Sequence, residues 1–182
     1  MPTSGSIFGS RQGIPIYADE QASLFNRISM NKYHGFSDDL IGAIKFYAAG
    51  VVAIEEDVRL SKRLHIPSKR LRGFESRKVG PTDAGDFVGG NYATALNFAT
   101  TLPGLLKDLE SMDFSLFFDA GNVWSVDYSD TVDETNKIRS AFGVSANVFT
   151  TIGPLSFTLA QDVTKSTNDE TETFNFRLGT SF

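Results

Sequence analysis

The residues best suited to specific chemistry are Arg72 and Asp119, which lie in different parts of the sequence. Arg72 opens the tripeptide Arg72-Gly73-Phe74, and its guanidinium offers a planar fork of donors that suits a carboxylate. Gly73 allows a tight backbone turn, and Phe74 supplies an apolar anchor. Charge pairing, hydrogen bonding and burial are the interactions that these residue types can make, and none of the three residues is a usual covalent catalyst.

Residues that could support covalent catalysis or metal binding are sparse. His34 and His65 are the only histidines, no Gly-x-Ser-x-Gly sequence accompanies them, and the chain has no cysteine. Four acidic residues near the last loop lack the spacing of an EF-hand, and we expect them to be solvated loop charges: Asp162, Asp169, Glu170 and Glu172. We therefore predict no catalytic residue, no metal and no other cofactor, and hence no enzyme.

The elements that must position Arg72 and Asp119 are β-strands. Turn-rich breaks predict about eight strands of roughly ten residues each. They cover residues 6–17, 22–33, 40–55, 91–101, 111–124, 138–150, 153–163 and 172–182. Residues 57–90 break every periodic pattern and form one long loop. Short connections alternate with long polar ones, as in an antiparallel transmembrane β-barrel, and no apolar run reaches the roughly 18 residues of a transmembrane helix.

Alternation along two of these strands separates a lipid-facing side from an inward side. In the strand of residues 111–124, Phe114, Leu116, Phe118 and Ala120 are the predicted lipid-facing set. Asp119 then points inward with Asp113, Ser115, Phe117 and Gly121. In the last strand the apolar side consists of Phe174, Phe176, Leu178 and Phe182, and the other side carries Asn175, Arg177 and Gly179.

Composition excludes some classes of function but leaves several open. A net charge of −5 argues against a nucleic-acid-binding protein. The basic residues cluster between Arg59 and Lys78, where they could form a solvated face or contact phosphate or lipopolysaccharide. Period-two alternation alone also fits a soluble β-sandwich binding module, so that alternative stays open at this point.

Three motifs resemble the family of BamA-like outer-membrane barrel-assembly factors, within the wider family of outer-membrane protein-insertion and secretion barrels. They are Arg70-Leu71-Arg72-Gly73-Phe74 with the glycines at 80, 89 and 90, then Phe117-Phe118-Asp119-Ala120-Gly121-Asn122-Val123-Trp124, and then Gly153-Pro154-Leu155. The resemblance implies that loop 57–90 folds into the barrel lumen and that Arg72 pairs with Asp119. Asn97 occupies a position where the family often has a second carboxylate; its amide could still accept a hydrogen bond from the loop.

The resemblance also implies a function and a location. Residues 1–182 would be the carboxy-terminal part of a barrel in the bacterial outer membrane, about half of a sixteen-stranded whole. That barrel would fold and insert unfolded outer-membrane client proteins through a lateral seam at the last strand, formed by Phe174, Phe176, Leu178, Gly179 and Phe182. Accessory lipoproteins, bound through domains outside this sequence, and outer-membrane lipid are the other expected partners. A secretion or translocation pore of the same barrel family is the main alternative.

Overall fold

The structure is a computed structural model that describes residues 4–15, 22–37, 40–54, 57–102, 112–128, 132, 136–150 and 153–179. Within them the strands are β1 Gly5–Gly13, β2 Ser23–Gly35, β3 Ile41–Ala53, β4 Thr82–Asp83, β5 Asp86–Phe87, β6 Tyr92–Thr101, β7 Met112–Trp124, β8 Arg139–Thr150, β9 Gly153–Thr164 and β10 Phe174–Leu178. A 3-10 turn at Leu60–Lys62 is the helical element of these ranges. None of the described helical structure is long and apolar enough to span a membrane.

Eight of the strands form one antiparallel sheet in the order β1-β2-β3-β6-β7-β8-β9-β10. The predicted all-β antiparallel fold is therefore confirmed, and the strand bounds agree with the prediction within a few residues except at two places. β1 ends at Gly13 rather than near residue 17, and β10 begins at Phe174 and ends at Leu178. Phe182 lies outside the described residues. The β-sandwich alternative is wrong, because the strands form one continuous sheet instead of two stacked ones.

The connections divide between the two ends of the sheet. Residues 36–40, 102–111 and 151–152 join strands at one end, which we call the turn end. Residues 14–22, 54–91, 125–138 and 165–173 join strands at the opposite end, which we call the loop end. The turn end has the two shortest connections, and the loop end has the longest, residues 54–91. In outer-membrane barrels short turns lie on the periplasmic side and longer loops on the outer side, so in such a barrel the turn end would be the periplasmic one.

The two faces of the sheet differ in polarity as the alternation predicts. On the outward face Leu116 and Phe118 remain 45% and 40% exposed, whereas Phe117 and Asp119 on the inward face are 5% and 0% exposed. Large apolar side chains cover much of the outward face along β2, β3 and β6 to β10, as expected of a surface that meets hydrocarbon.

The buried core lies on the inward side of the sheet, between its wall and loop 57–90. Alanines on the wall, such as Ala49, Ala93 and Ala95, leave room for larger loop side chains. The loop fills that room with Val58, Leu64, Ile66, Leu71, Phe74 and Val79. Loop 57–90 also contains the small hairpin of β4 and β5, which sequence periodicity did not predict. A loop with this much buried apolar surface is held in one place on the wall.

Candidate functional site

The loop reaches the sheet wall through Arg72 and Asp119. The Arg72 side chain donates from Nε to Oδ2 of Asp119 at 2.7 Å and from Nη2 to Oδ1 at 2.8 Å, which is a bidentate pair. The Arg72 backbone N–H adds a third hydrogen bond to Oδ2 at 3.1 Å. The Asp119 side chain is 0% exposed and the Arg72 side chain 18% exposed. The carboxylate thus accepts hydrogen bonds from both the charged side chain and the backbone of the loop tip.

Two further contacts fix the direction of the Arg72 guanidinium. Its Nη1 donates to Oγ of Ser145 on β8 at 3.2 Å. Its Cζ lies 3.6 Å from the centroid of the Phe117 ring on β7, a close cation–π stack. A lysine at this position could not form the fork, and it has no planar group to stack on the ring. The site therefore requires an arginine for its shape as well as for its charge.

Gly73 allows the loop tip to lie directly on the wall. Its φ of +87° is in the region that favours glycine. A Cβ at this position would lie 2.9 Å from Cβ of Ala141 and 3.1 Å from Cβ of Ala160. Both the backbone angle and the approach to β8 and β9 therefore exclude a larger residue without a shift of the loop.

Beyond Gly73 the loop forms backbone pairs with residues 170–172, which immediately precede β10. The N–H of Glu172 donates to the Gly73 carbonyl at 3.0 Å, and the N–H of Glu75 donates to the Glu170 carbonyl at 3.0 Å. The Phe74 side chain between them is 1% exposed. Lys78 forms an ion pair with Glu170 at 2.8 Å on the exposed side. The loop thus contacts the chain segment that leads into the last strand.

Asn97 also contacts the loop, but with the opposite hydrogen-bond polarity from the one expected. Its Nδ2 donates to the backbone carbonyl of Arg70 at 2.7 Å, so the amide serves as a donor and not as an acceptor. Asn97 lies on β6 directly across from Asp119 on β7. The Arg70 guanidinium lies 4.3 Å from the centroid of the Tyr47 ring on β3. An amide suits this position because a carboxylate could not donate to a carbonyl.

A second buried ion pair, which the sequence did not reveal, joins Arg139 and Asp169. Arg139 Nε donates to Oδ2 of Asp169 at 2.8 Å, Nη2 donates to Oδ1 at 3.1 Å, and both side chains are 0% exposed. Arg139 Nη1 also donates to Oδ1 of Asn122 at 2.6 Å. The expectation that Asp169 is a solvated loop charge is wrong. The available sequence signal was the position of Arg139 at the start of a predicted strand; its register with Gly121 is seen in the structure.

A third pair closes the loop near its beginning. Arg63 Nη2 donates to Oδ1 of Asp127 at 2.6 Å, while the Val58 N–H and Asn91 Nδ2 donate to Oδ2 at 3.1 and 2.9 Å. Burial tends to raise the pKa of Asp127, but the hydrogen bonds from Val58, Asn91 and Arg63 outweigh it, so this pKa lies below its ordinary value. The Arg63 side chain is 1% exposed.

The basic stretch between Arg59 and Lys78 is therefore not one solvated face. Arg63 and Arg72 point into the structure, whereas Lys62 and Lys69 remain exposed. Within the parts of the chain that the structure describes, no cluster of three or more His, Asp or Glu side chains is arranged to hold a metal. His34 lies on the outward face of β2 and His65 lies within loop 57–90, far apart in the chain.

The predicted seam residues lie on a short strand at the end of the sheet. Phe174, Phe176 and Leu178 point outward and are 55%, 51% and 55% exposed. On the inward side Arg177 Nε donates to Oδ1 of Asn175, and Asn175 Nδ2 donates to Oε2 of Glu172. The N–H of Gly179 donates to the Pro154 carbonyl at 2.8 Å. Among the described strands β10 pairs with β9 alone.

Comparison with known proteins matches the whole chain to one family. The family described as the Omp85 superfamily domain matches residues 1–182. The outer membrane protein assembly factor BamA of Neisseria meningitidis serogroup B is 29% identical over an alignment that covers 62% of this chain and 17% of that protein. The crystal structure of BamA from Haemophilus ducreyi lacking POTRA domains 1–3 superposes with a TM-score of 0.86 at 23% identity. The superposition covers 100% of this chain and 39% of the Haemophilus ducreyi chain, so this chain spans less than half of either relative.

Proposed function

The chain belongs to the Omp85 superfamily, and on that basis we propose that it is the client-pairing part of an outer-membrane protein assembly factor. As a member of this superfamily it is a protein of the bacterial outer membrane. The proposed activity is the folding and insertion of unfolded β-barrel proteins, without covalent chemistry. The 182 residues then form the carboxy-terminal part of a larger barrel, of about sixteen strands in all.

The observation that carries the proposal is the backbone of β10, which among the described strands is paired on its β9 side alone. Ala160 N–H donates to the Thr173 carbonyl at 2.9 Å, and Gly179 N–H donates to the Pro154 carbonyl at 2.8 Å. In an antiparallel ladder such pairs recur at every second residue, so Asn175 and Arg177 also face β9. The N–H and C=O groups of Phe174, Phe176 and Leu178 therefore point away from β9, toward the open edge.

An open edge of this kind supplies what a client strand lacks inside a bilayer. Each unpaired backbone group costs several kcal/mol in hydrocarbon, and pairing with an existing edge removes that cost. Among the described residues the register of β10 with β9 runs over Phe174–Leu178, and hydrogen bonds at Thr173 and Gly179 extend it at both ends. We propose that β10 keeps this pairing with β9 while its other edge pairs with a client strand.

The role we assign to the loop tip is to brace the wall behind this edge. Arg72 holds β7 and β8 through Asp119 and Ser145, and the Gly73 carbonyl holds Glu172 just ahead of β10. The start of the last strand is thereby fixed while the remainder of its free edge stays available.

Unfolded outer-membrane proteins are the proposed clients. Outer-membrane lipid is proposed to surround the barrel. Accessory lipoproteins are the second proposed class of protein partner. We assign their binding to parts of the complete protein other than these residues, because loop 57–90 packs against the inward face and the outward face is apolar.

Reconstitution tests the proposal. The complete protein is placed in phospholipid vesicles, an unfolded eight-stranded client barrel is added, and folding is followed by heat-modifiable gel migration. We expect insertion to be accelerated at least tenfold over empty vesicles. A secretion pore would instead conduct ions or pass one dedicated protein while leaving client insertion at the rate of empty vesicles, and that result would reject the assembly function.

A further inference from the structure

Among the described strands of the eight-stranded sheet, one charged side chain faces outward, and it is Lys32 on β2. Its cross-strand partners are Ser6 and Ile44, and Ile44 continues through the sheet to Phe98 and Phe118 on the exposed apolar face. The remaining charged residues in the strands of this sheet are in register with the inward side: Arg11, Arg27, Lys45, Asp113, Asp119, Arg139, Asp162 and Arg177. Lys32 therefore requires its own explanation.

Lys32 borders an outward-facing pocket of about 600 Å³. Ile44, Phe98, Leu116 and Phe118 form its apolar floor, and His34 lies beside Lys32 at its edge. Phe36 closes the side nearest the turn end and lies against the edge of the His34 ring, with the two ring centroids 4.8 Å apart. Lys32 and His34 could contact the headgroup of a lipid, and the apolar pocket beside them could hold one of its acyl chains.

The depth of this pocket in the sheet is also informative. Lys32 lies three residues from the end of β2 at Gly35, and the pocket residue Gly42 is the second residue of β3. The pocket is therefore near the turn end, where the outward face passes from hydrocarbon to headgroups. An ammonium group is costly at the middle of a bilayer, but near the interface it can contact lipid phosphate.

We propose that Lys32 and His34 bind the phosphate of an anionic phospholipid whose acyl chain occupies the pocket over Ile44, Phe98 and Leu116. Among the residues that the structure describes, the ion pairs are formed by other side chains than Lys32. A protein partner fits less well, because this face lies in the bilayer of an outer-membrane protein. The site is separate from the free edge of β10 and does not depend on the assembly function.

Site-mapped photolabelling tests this site. The complete protein is reconstituted in phosphatidylcholine vesicles with a trace of phosphatidylglycerol that carries a diazirine in its acyl chain, and labelled peptides are identified by mass spectrometry. Labelling is expected to concentrate on residues 96–100 and 114–118. Lys32→Gln should reduce it about fivefold, which corresponds to the loss of one cation near a lipid surface.

Two comparisons separate a specific site from general lipid contact. Lys62→Gln removes an equivalent charge from the loop end and should leave labelling unchanged, and Lys32→Arg should retain it. A diazirine phosphatidylcholine with the same chains should label the pocket less than phosphatidylglycerol. Equal labelling by the two lipids, or labelling that Lys32→Gln does not change, overturns the proposal. Heat-modifiable migration verifies folding, and if Lys32→Gln does not fold, the comparison of the two lipids on the unchanged protein decides the question.

Discussion

Arg72 and Asp119 are joined by three hydrogen bonds of 2.7 to 3.1 Å across 47 positions of sequence. One of them comes from the loop backbone, so the carboxylate fixes the position of the chain and not only of the side chain. The Phe117 ring lies under the guanidinium, and Asp119 has no exposed surface. This pair is the point at which loop 57–90 is attached to the sheet.

Arg72→Ala should release the loop tip. The substitution leaves the buried Asp119 carboxylate without its counter-charge, and loss of one partner of such a pair costs about 3–5 kcal/mol. We expect faster protease cleavage near Phe74 in the complete folded protein, and the same for Asp119→Ala. Lys62→Ala, an exposed charge of the same loop, is the matched control and should leave cleavage unchanged. Equal protection of Arg72→Ala and the unchanged protein would count against attachment through this pair.

Gly73→Ala and Gly85→Ala separate backbone strain from contact with the wall. Both glycines have positive φ, +87° and +90°, so alanine costs about 1–3 kcal/mol of strain at either position. A Cβ at Gly85 meets nothing within 4 Å, whereas one at Gly73 meets Ala141 and Ala160. Overpacking then adds about 1–3 kcal/mol at Gly73 alone. Hydrogen exchange of loop 57–90 should rise more in Gly73→Ala; equal effects would mean that the approach to the wall is not tight.

The strands were predictable because each carries a local signal. Alternation in β7 assigns Asp119 to the inward face, and turn residues bound most strands within a few positions. The extent of the last strand was less predictable. Its alternation continues to Phe182, which lies outside the described residues. Within them the strand begins at Phe174 rather than at residue 172, since pairing depends on the neighbouring strand as well as on the pattern.

The interior of the loop was not predictable from periodicity. Leu64, Leu71 and Phe74 are buried by residues far away in the sequence, so no repeat marks them. Asp169 looked like one of several loop carboxylates, and only the fold brings it to Arg139. Asn97 was expected to accept a hydrogen bond, but the nearest loop group is a carbonyl, so it donates.

Arg139 and Asp169 should behave as a unit. Removal of one partner by Arg139→Met or Asp169→Leu leaves a fully buried charge and should destabilise the folded protein by about 3–5 kcal/mol. The double substitution removes both charges and should recover much of that loss. Denaturant unfolding of the four proteins measures the coupling. If the two single effects simply add, the pair has no energetic coupling and this interpretation is wrong.

Acid should loosen the beginning of the loop. The folded pKa of Asp127 lies below its ordinary value, so its stabilisation is present above the unfolded pKa of about 3.9 and is lost as the pH falls through the folded value. Hydrogen exchange at Val58, whose N–H donates to this carboxylate, should lose protection in that acidic range. Asp127→Asn should reduce the protection at neutral pH and remove this component of the pH dependence. An unchanged pH profile in the variant would show that other groups control it.

The central claim, that clients pair with the free edge of β10, is tested most directly by Phe176→Pro against Phe176→Ala. Both remove the aromatic side chain, but only proline removes the N–H that points away from β9, and proline is tolerated at a sheet edge. In vesicles with an unfolded client barrel, we predict that Phe176→Ala retains most of the insertion rate and that Phe176→Pro lowers it at least tenfold, with both proteins folded. Equal insertion rates for the two variants would contradict client pairing at this edge.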